Sequence, residues 1–252
     1  MAREAVVVTG SLGGIGHAIT ARLLAGGIAV IGIDRKEGSA ESSYEHVRMD
    51  LATLAQSAGA ALQVGAAIES ARQRIGADHV VGLVNNAAIQ VVQPAVMLDA
   101  TELRRSLDVN VVAPLVLAQC LHAHLARCHG CIVNIGSIHA RLTKAGFCAY
   151  STSKSALSGL SRALAVEWGG DIRVATIELG AIATPMLEAG FAGRPEARAA
   201  LELASPSRSI GSVEHVAEWV YRIVVDRQAF ANGMLLRLDG GIGGRLHDPA
   251  DD

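Results

Sequence analysis

Short runs of apolar residues alternate along this chain with longer segments in which apolar residues recur every three or four positions. The short runs are rich in β-branched residues and predict strands at about 5–8, 28–33, 46–49, 80–84, 131–135 and 172–177. The periodic segments predict helices at about 14–25, up to 75, 101–127 and 149–168. Continuous apolar strands separated by helices are typical of a parallel sheet with helices on both faces. We therefore predict one doubly wound α/β domain over residues 1–252.

Two segments depart from this alternation. Residues 186–210 mix Gly, Pro, Arg and apolar residues with a weak helical period, which predicts an insertion or a lid over a substrate. Residues 243–252 are polar and end on acidic side chains, which predicts an exposed C-terminal tail.

Composition narrows the function classes. Half of the 252 residues are hydrophobic, which is enough to bury a sizeable core. The 22 basic and 24 acidic residues nearly balance and only 3% of residues are aromatic, so neither nucleic acid nor an anionic membrane is favoured as a partner. The first apolar run is too short for a signal peptide, and we see no run of the length of a membrane span. We expect a cytoplasmic protein that acts on a small molecule.

The four cysteines do not suggest a metal centre. Cys120, Cys128, Cys131 and Cys148 are few for this length, and we expect them to be reduced, buried thiols. The pair at 128 and 131 has C-x-x-C spacing but lacks a second ligand pair at the spacing of a zinc finger. It enters a predicted strand, whereas a redox thiol pair normally opens a helix. We therefore expect no bound metal and disfavour thiol redox chemistry.

A glycine-rich turn follows the first predicted strand. Its glycines allow a tight turn and a close approach of the backbone to a pyrophosphate at the start of the next helix, and the motif comprises Thr9, Gly10, Ser11, Leu12, Gly13, Gly14, Ile15 and Gly16. Asp34 ends the second strand, near the offset at which an acidic side chain binds the ribose 2′-hydroxyl of NAD. Arg35 could instead receive the 2′-phosphate of NADP. NAD is favoured, and NADP stays open.

A second group of residues predicts proton transfer. Tyr150 and Lys154 are four positions apart on a predicted helix, so both project from one face. A tyrosine has an ordinary pKa of about 10, and we expect the nearby ammonium to lower the pKa of Tyr150, as a general acid/base requires. Ser137 follows a predicted strand at the carboxyl edge of the sheet, where open α/β sheets bind their ligands.

Together these motifs resemble the short-chain dehydrogenase/reductase family, in its branch of about 250 residues. The resemblance covers essentially the whole chain and rests on Thr9-Gly-x-x-x-Gly14-Ile15-Gly16, Asn85-Asn86-Ala87, Asn110, Ser137 and Tyr150-x-x-x-Lys154. It implies a Rossmann fold with a sheet of seven mostly parallel strands. It also implies hydride transfer between NAD and a secondary alcohol or ketone, and assembly into homotetramers or dimers through the helices that carry Asn110 and Tyr150.

The resemblance assigns catalytic roles to four residues. Tyr150 would take or give the hydroxyl proton, and Ser137 would orient the reacting oxygen. Lys154 would bind the nicotinamide ribose and depress the pKa of Tyr150. Asn110 would kink its helix and hold a water in a proton relay to Lys154.

Further positions match the cofactor motifs of the family. The cofactor-binding set that this implies is Gly10, Ser11, Gly13, Gly14, Ile15, Gly16, Asp34, Arg35, Asp50, Leu51, Asn86, Ala87, Ala88, Tyr150, Lys154, Gly180, Ile182 and Thr184. Asp239-Gly240-Gly241 matches the segment after the last strand. Ala88 stands where the family usually has Gly, and Leu179 stands where it usually has Pro. We expect the second departure to loosen the local backbone and to leave Thr184 free to bind the carboxamide.

The substrate pocket is less well determined. By resemblance its candidates are Gln90, Val91, His139, Arg141, Phe147, Leu187 and Phe191. His139 would either contact substrate or make a local hydrogen bond. Arg141 or Lys144 would either hold a substrate carboxylate or lie on a solvated surface. The family acts on sugars, steroids, diols and acyl ketones, and the sequence does not choose among them.

Two other functions stay open beside the NAD-dependent dehydrogenase. One is an NADP-dependent ketone reductase, which differs mainly in the use of Asp34 and Arg35. The other is a dinucleotide-binding sensor without catalysis, which would be expected to lack the tyrosine or the lysine of the Tyr150-x-x-x-Lys154 motif; both are present.

Overall fold

The structure, a computed structural model, describes residues 2–245 apart from the side chain of Met186. Within these residues seven strands form one sheet: β1 (Glu4–Thr9), β2 (Ala29–Asp34), β3 (Tyr44–Arg48), β4 (His79–Asn85), β5 (Cys131–Ser137), β6 (Arg173–Leu179) and β7 (Leu235–Leu238). Their order is β3-β2-β1-β4-β5-β6-β7, and every pairing is parallel. The predicted Rossmann fold is confirmed. The strand order reverses between β1 and β4, where open α/β sheets bind ligands at their carboxyl edge.

Helices cover both faces of the sheet. They are α1 (Gly14–Ala25), α2 (Leu51–Gln56), α3 (Ala58–Arg74), α4 (Ala100–Leu107), α5 (Ala113–Arg127), α6 (Cys148–Trp168), α7 (Pro185–Gly190), α8 (Pro195–Ala204) and α9 (Val213–Val225). One apolar core packs α1 and α9 against the sheet, and the other packs α2, α3, α5 and α6 against the opposite face. Successive β1 residues therefore alternate between two buried environments, which explains why the strand is apolar at every inner position.

The helix predicted at 101–127 is broken. It is divided into α4, a π-helical turn at Asp108–Val112, and α5. The Ala113 N–H bonds to the Asp108 carbonyl, five residues back, and Pro114 follows in the first turn of α5. Proline lacks an N–H and so fits this position. The apolar period continues through the break, which is why the sequence pattern does not reveal it.

The long helical segment predicted up to residue 75 is also divided. Ser57 ends α2 and begins α3, and its hydroxyl accepts a hydrogen bond of 3.2 Å from the Ala60 N–H. Serine is a favourable N-cap, since its oxygen pairs with an otherwise unpaired helix N–H.

The stretch Ala100–Arg127 is long and apolar enough to cross a membrane by length and composition, with a mean hydropathy of 1.5. This differs from the expectation that no run approaches a membrane span. Leu117, Leu121 and Leu125 of α5 are buried in the core of the described chain. The apolar composition is thus that of a core helix and does not indicate a membrane protein.

The segment at 186–210 is more regular than its sequence suggests. It contains most of α7 and all of α8, each of which begins at a proline. A proline at the first helical position removes no hydrogen bond and has a preset φ, so two short helices form despite the weak period. Of the predicted tail, 243–245 follow β7 closely, and 246–252 lie outside the described residues.

The expectation that all four cysteines are buried is wrong. Cys131 is buried in β5, Cys120 and Cys128 are partly exposed, and Cys148 is exposed. Cys148 is the first residue of α6 and faces solvent, because only one stripe of that helix packs on the sheet.

We predict that Leu117→Ala lowers the free energy of unfolding by about 2–5 kcal/mol, because this fully buried side chain leaves a cavity when it is truncated. Urea unfolding measures the change. Leu62→Ala is the matched control, since Leu62 is 78% exposed and its truncation should change stability by less than about 0.5 kcal/mol. Equal losses in the two variants would contradict this assignment of the core.

Candidate active site

The glycine-rich turn is closed by backbone contacts that leave no room for side chains. Gly10 has a φ of +65°, and its N–H donates to the Ile33 carbonyl at 2.7 Å. A Cβ on Gly16 would lie 2.0 Å from the Gly10 carbonyl oxygen, so only glycine fits there. Gly13 is the N-cap residue of α1, and within the described chain no side chain caps this helix. Its first N–H groups form the kind of anion site that a pyrophosphate occupies in dinucleotide-binding proteins.

The loop after β4 is fastened to this turn. The Thr9 hydroxyl accepts hydrogen bonds of 3.0 Å from the N–H groups of Asn86 and Ala87. The Asn86 side chain donates to the Thr9 carbonyl at 2.9 Å. The predicted cofactor residues Asn86, Ala87 and Ala88 thus lie beside the turn, at the point where the strand order reverses.

Asp34 connects the turn to the loop that follows β2. Its carboxylate accepts hydrogen bonds from the Leu12 N–H at 3.3 Å and from the Lys36 N–H at 3.1 Å. An open cavity of about 630 Å³ lies next to it, lined by Arg35, Lys36, Arg48, Met49, Asp50 and Thr53. The structure therefore brings Arg35 and Asp50 to one cavity beside Asp34, and it adds the cations Lys36 and Arg48.

The two predicted adenine-contact residues differ in their surroundings. Asp50 caps α2 by accepting a hydrogen bond of 2.9 Å from the Ala52 N–H, and it is exposed at the cavity. Leu51 is buried and packs in the core, so its side chain does not line this cavity.

Ser137, Tyr150 and Lys154 meet at the carboxyl edge of the sheet. Ser137 is the last residue of β5 and is buried; its hydroxyl accepts a hydrogen bond of 3.2 Å from the His139 N–H. Tyr150 lies in the first turn of α6 and Lys154 one turn later. The Lys154 ammonium is buried, donates to the Ile135 carbonyl at 2.8 Å, and lies 5.7 Å from the centre of the Tyr150 ring.

The directions of the pKa shifts of Tyr150 and Lys154 correct one expectation. Burial raises the pKa of Tyr150, and the neighbouring Ser137 hydroxyl opposes that shift. Burial lowers the pKa of Lys154 to about 8. The expectation that Lys154 lowers the pKa of Tyr150 is wrong for this structure, because the ammonium bonds to the Ile135 carbonyl and loss of water contact dominates at the phenol.

Asn110 lies in the π-helical turn, so the predicted kink has a structural counterpart. Its side chain pairs with the backbone of Ile89 in both directions, at 2.9 and 3.0 Å. It also donates to the Ser153 hydroxyl at 2.9 Å, and Ser153 donates to the Tyr150 carbonyl at 2.8 Å. The side-chain amide of Asn110 is therefore already hydrogen-bonded within the chain. A water that Asn110 held in the predicted relay would have to contact its backbone.

His139 and Phe147 form an aromatic wall beside Tyr150. Their rings stack with centres 4.5 Å apart and planes 8° apart, and the His139 ring meets the Tyr150 ring edge-on at 5.7 Å. The His139 Nδ1 lies 3.1 Å from the Thr143 hydroxyl, a local hydrogen bond of the kind that was left open. Burial, and secondarily the charge of Lys144, lower the pKa of His139.

Arg141 is paired within the chain. Its guanidinium donates to the carboxylate of Glu178 at 2.7 Å, and Glu178 is 1% exposed. The suggested role of Arg141 as a holder of a substrate carboxylate is therefore not favoured. Lys144 is exposed, with its ammonium 4.8 Å from the centre of the Phe147 ring.

The remaining substrate candidates divide into two groups. Gln90, which is exposed, and Val91 precede Gln93, whose N–H donates to the Gly146 carbonyl at 2.9 Å, so their loop is joined to the loop of Phe147. Leu187 lies on α7 and Phe191 directly after it. The start of α7 lies over the glycine-rich turn, because a Cβ on Gly14 would be 2.9 Å from Pro185 Cδ.

The segment before α7 corrects one further expectation. Leu179 pairs with both Ser137 and Leu238 in the sheet, so the substitution of the usual proline does not loosen the backbone. The Thr184 hydroxyl caps α7 by accepting from the Leu187 N–H at 3.2 Å, and it keeps its own proton for a further hydrogen bond.

Gly180 and Ile182 lie on either side of this turn. Gly180 packs against the matched segment after β7, where its Cβ would be 2.8 Å from the Asp239 Cα. Ile182 is buried and forms a bridge with Gly211, which directs its side chain into the core.

Several residues that position this site were missed from the sequence. They are Lys36, Tyr44, His46, Arg48, Ser153 and Glu178. Glu178 left a signal, because it is an acidic residue between the apolar residues Ile177 and Leu179 near the end of β6. The others have ordinary sequence surroundings, and only their contacts in the fold reveal them.

Comparison with known proteins agrees with this geometry. The 3β-hydroxysteroid dehydrogenase 1 of Eggerthella lenta is 32% identical, with 95% of this chain and 93% of that protein covered. The 2-(S)-hydroxypropyl-CoM dehydrogenase 3 of Xanthobacter autotrophicus is also 32% identical, over 95% and 96% of the two chains. The ligand-free aldohexose dehydrogenase of Thermoplasma acidophilum superposes with a TM-score of 0.87 at 26% identity, over 98% of both chains. A family model described as short chain dehydrogenase matches residues 4–194, and the chain belongs to this family.

Proposed function

We propose that this chain is an oxidoreductase that interconverts a secondary alcohol and a ketone with a nicotinamide dinucleotide, and that it prefers NAD. One observation carries the proposal. A half-buried tyrosine, a buried serine and a buried lysine meet at the carboxyl end of β5, and the glycine-rich turn opens at the same edge of the sheet. Proton-transfer groups and a dinucleotide cradle at one edge are what such a reaction requires.

The residues present fit the cofactor. The turn at Gly10 and Gly16 is too tight for side chains and brings backbone N–H groups to the start of α1, where a pyrophosphate would bind. Asp34 would accept hydrogen bonds from the adenosine ribose. The Thr184 hydroxyl would donate its proton to the carboxamide, and Lys154 would hold the nicotinamide ribose through its ammonium group.

A bound nicotinamide dinucleotide supplies or accepts the hydride at the substrate carbon. Ser137 would donate a hydrogen bond to the substrate oxygen and so fix it near the phenol of Tyr150. Tyr150 would give its proton to that oxygen during ketone reduction and take it back during alcohol oxidation. Asn110 and Ser153 support these positions, because they join the π-helical turn to the backbone of Tyr150.

The charges beside the ribose site support NAD, with NADP as the second candidate. A 2′-phosphate would have to approach the carboxylate of Asp34. The Arg48 guanidinium donates to the Glu37 carboxylate at 2.7 Å, so its charge is already paired within the chain. The observation that favours the second candidate is the cavity itself, which Arg35, Lys36 and Arg48 line together.

The wall beside Tyr150 supports an uncharged, partly apolar substrate. His139 and Phe147 present stacked rings, and the low pKa of His139 keeps that ring neutral at pH 7. Arg141 is neutralised by Glu178. Among the residues described beside this wall, that leaves the exposed Lys144 as the cation for a substrate carboxylate.

We predict that Tyr150→Phe lowers kcat by about 10²–10⁴-fold, because the substitution removes only the hydroxyl that carries the proton. NADH binding, followed by calorimetry, should remain within about twofold of the original protein. Tyr221→Phe is the matched control, since Tyr221 packs on Arg22, between α1 and α9. If Tyr150→Phe keeps most of the activity, Tyr150 is not the general acid/base.

We predict that Asp34→Ala weakens NADH binding more than NADPH binding and shifts the ratio of the two dissociation constants by about tenfold or more, because a charged hydrogen-bond partner of the ribose is lost. Asp50→Ala is the control: Asp50 lines the same cavity but should affect both cofactors alike. An unchanged ratio in Asp34→Ala would show that Asp34 does not determine the cofactor preference, which would then depend on the nearby cations.

We predict opposite pH dependence for the two directions of the reaction. Burial raises the pKa of Tyr150, so the phenol keeps its proton at neutral pH. Reduction uses that proton and should be constant through neutral pH and fall at alkaline pH, whereas oxidation needs the phenolate and should rise with pH. The measurement is kcat/KM for one alcohol–ketone pair in both directions from about pH 6 to 10. Faster reduction at alkaline pH would contradict the assignment.

A further inference from the structure

A chain of hydrogen bonds runs behind the adenosine end of the site and is not part of the reaction described above. The Ser11 hydroxyl lies 3.0 Å from the Tyr44 hydroxyl, which lies 3.2 Å from Nδ1 of His46. Nε2 of His46 lies 3.0 Å from the Lys36 carbonyl. These four residues, which we call the ribose relay, link the glycine-rich turn, β3 and the loop after β2.

Two glycines leave space for the ribose relay. Gly32 pairs with His46 across β2 and β3, and a Cβ on Gly32 would lie 2.3 Å from the Tyr44 hydroxyl and 2.4 Å from the Ser11 hydroxyl. A Cβ on Gly38 would lie 2.8 Å from the His46 ring. Any other residue at either position would displace a member of the relay, so the local sequence accommodates it closely.

The direction of each hydrogen bond follows from the last acceptor. The Lys36 carbonyl can only accept, so Nε2 of His46 carries a proton. In the neutral ring Nδ1 is then an acceptor, and the Tyr44 hydroxyl donates to it. Since the Tyr44 proton is used, the Ser11 hydroxyl must donate to the Tyr44 oxygen.

The relay fixes the peptide groups on both sides of Lys36. The Lys36 carbonyl is held by His46, and the Lys36 N–H is held by Asp34, whose carboxylate also binds the Leu12 N–H of the glycine-rich turn. The relay and Asp34 thus make two parallel connections between the turn and the loop. The adenosine ribose would bind in the gap that these connections span.

We propose that the ribose relay positions the loop after β2 for the adenosine half of the cofactor, and that its hydrogen bonds contribute to the affinity for that cofactor. The inference rests on the proposed function, since it concerns the affinity of the same dinucleotide site. Tyr44 and His46 are positioning residues, because they act through Lys36 and Ser11 and do not touch the reacting atoms.

Cofactor affinity is the first test. Calorimetric titration of the full chain with NADH and with NADPH at about pH 8 gives the two dissociation constants. Tyr44→Phe removes the hydroxyl that joins Ser11 to His46, and it should raise both dissociation constants about 3- to 10-fold, as expected for the loss of a hydrogen-bonded support.

His46→Gln is the matched variant. Its amide oxygen can accept from Tyr44 and its NH₂ can donate to the Lys36 carbonyl, so it retains both hydrogen bonds of the imidazole. It should bind both cofactors as the original protein does. Tyr221→Phe should also bind as the original protein does, and thermal unfolding shows whether each variant is folded.

A spectroscopic readout needs no cofactor. Nitrogen-15 NMR of the chain without ligand should show His46 as the Nε2–H tautomer at pH 8, with an Nδ1 shift that changes in Tyr44→Phe. The Nδ1–H tautomer would overturn the relay as described.

The outcomes separate the two proposals. If the original protein binds neither NADH nor NADPH at pH 8, the proposed function fails and this inference fails with it. If it binds either cofactor and Tyr44→Phe binds equally well, only the role of the relay is overturned. Binding by His46→Gln as weak as that by Tyr44→Phe would also overturn it, because the amide retains both hydrogen bonds of the relay.

Discussion

The hydrogen bond from the buried Lys154 ammonium to the Ile135 carbonyl is the contact on which the catalytic edge depends. An amine without water needs a partner, and this one finds it in the backbone of β5, two residues before Ser137. The bond therefore fixes α6 relative to β5 and brings Tyr150 to Ser137. It also explains why the lysine does not bond to the phenol in this structure. Burial raises the pKa of Tyr150 and lowers that of Lys154, because loss of water contact disfavours the charged form of each group.

The other half of the site is organised around a carboxylate. Asp34 binds backbone N–H groups from the glycine-rich turn and from the loop after β2, so it fixes the two segments between which we propose that the ribose binds. Such preorganisation limits the ordering that binding must supply. The same loop is held from behind through Tyr44 and His46, and a small set of polar side chains thereby determines the geometry of a site that is otherwise formed by backbone.

The parts of the fold that were predictable from the sequence are those that depend on local pattern. The strands before Thr9, Asp34 and Asn85 are buried on both faces, and so they are continuously apolar in sequence. The breaks at Ser57 and at Asp108–Val112 were not predictable, because the apolar face continues through both of them. Spacing placed Tyr150 and Lys154 on one helix face, but the direction of the Tyr150 pKa shift depends on burial, which spacing does not give.

The ion pair of Arg141 and Glu178 shows how a tertiary contact restricts the substitutions that a chain tolerates. They are 37 positions apart on different elements, and neither is placed by the periodicity of its own segment. Replacement of the arginine would leave a carboxylate inside the protein without its cation, and replacement of the glutamate would free a guanidinium next to the aromatic wall. Substitutions at these two positions are therefore expected to be tolerated mainly when both occur together, so that among related chains the two sites would covary as a linked pair.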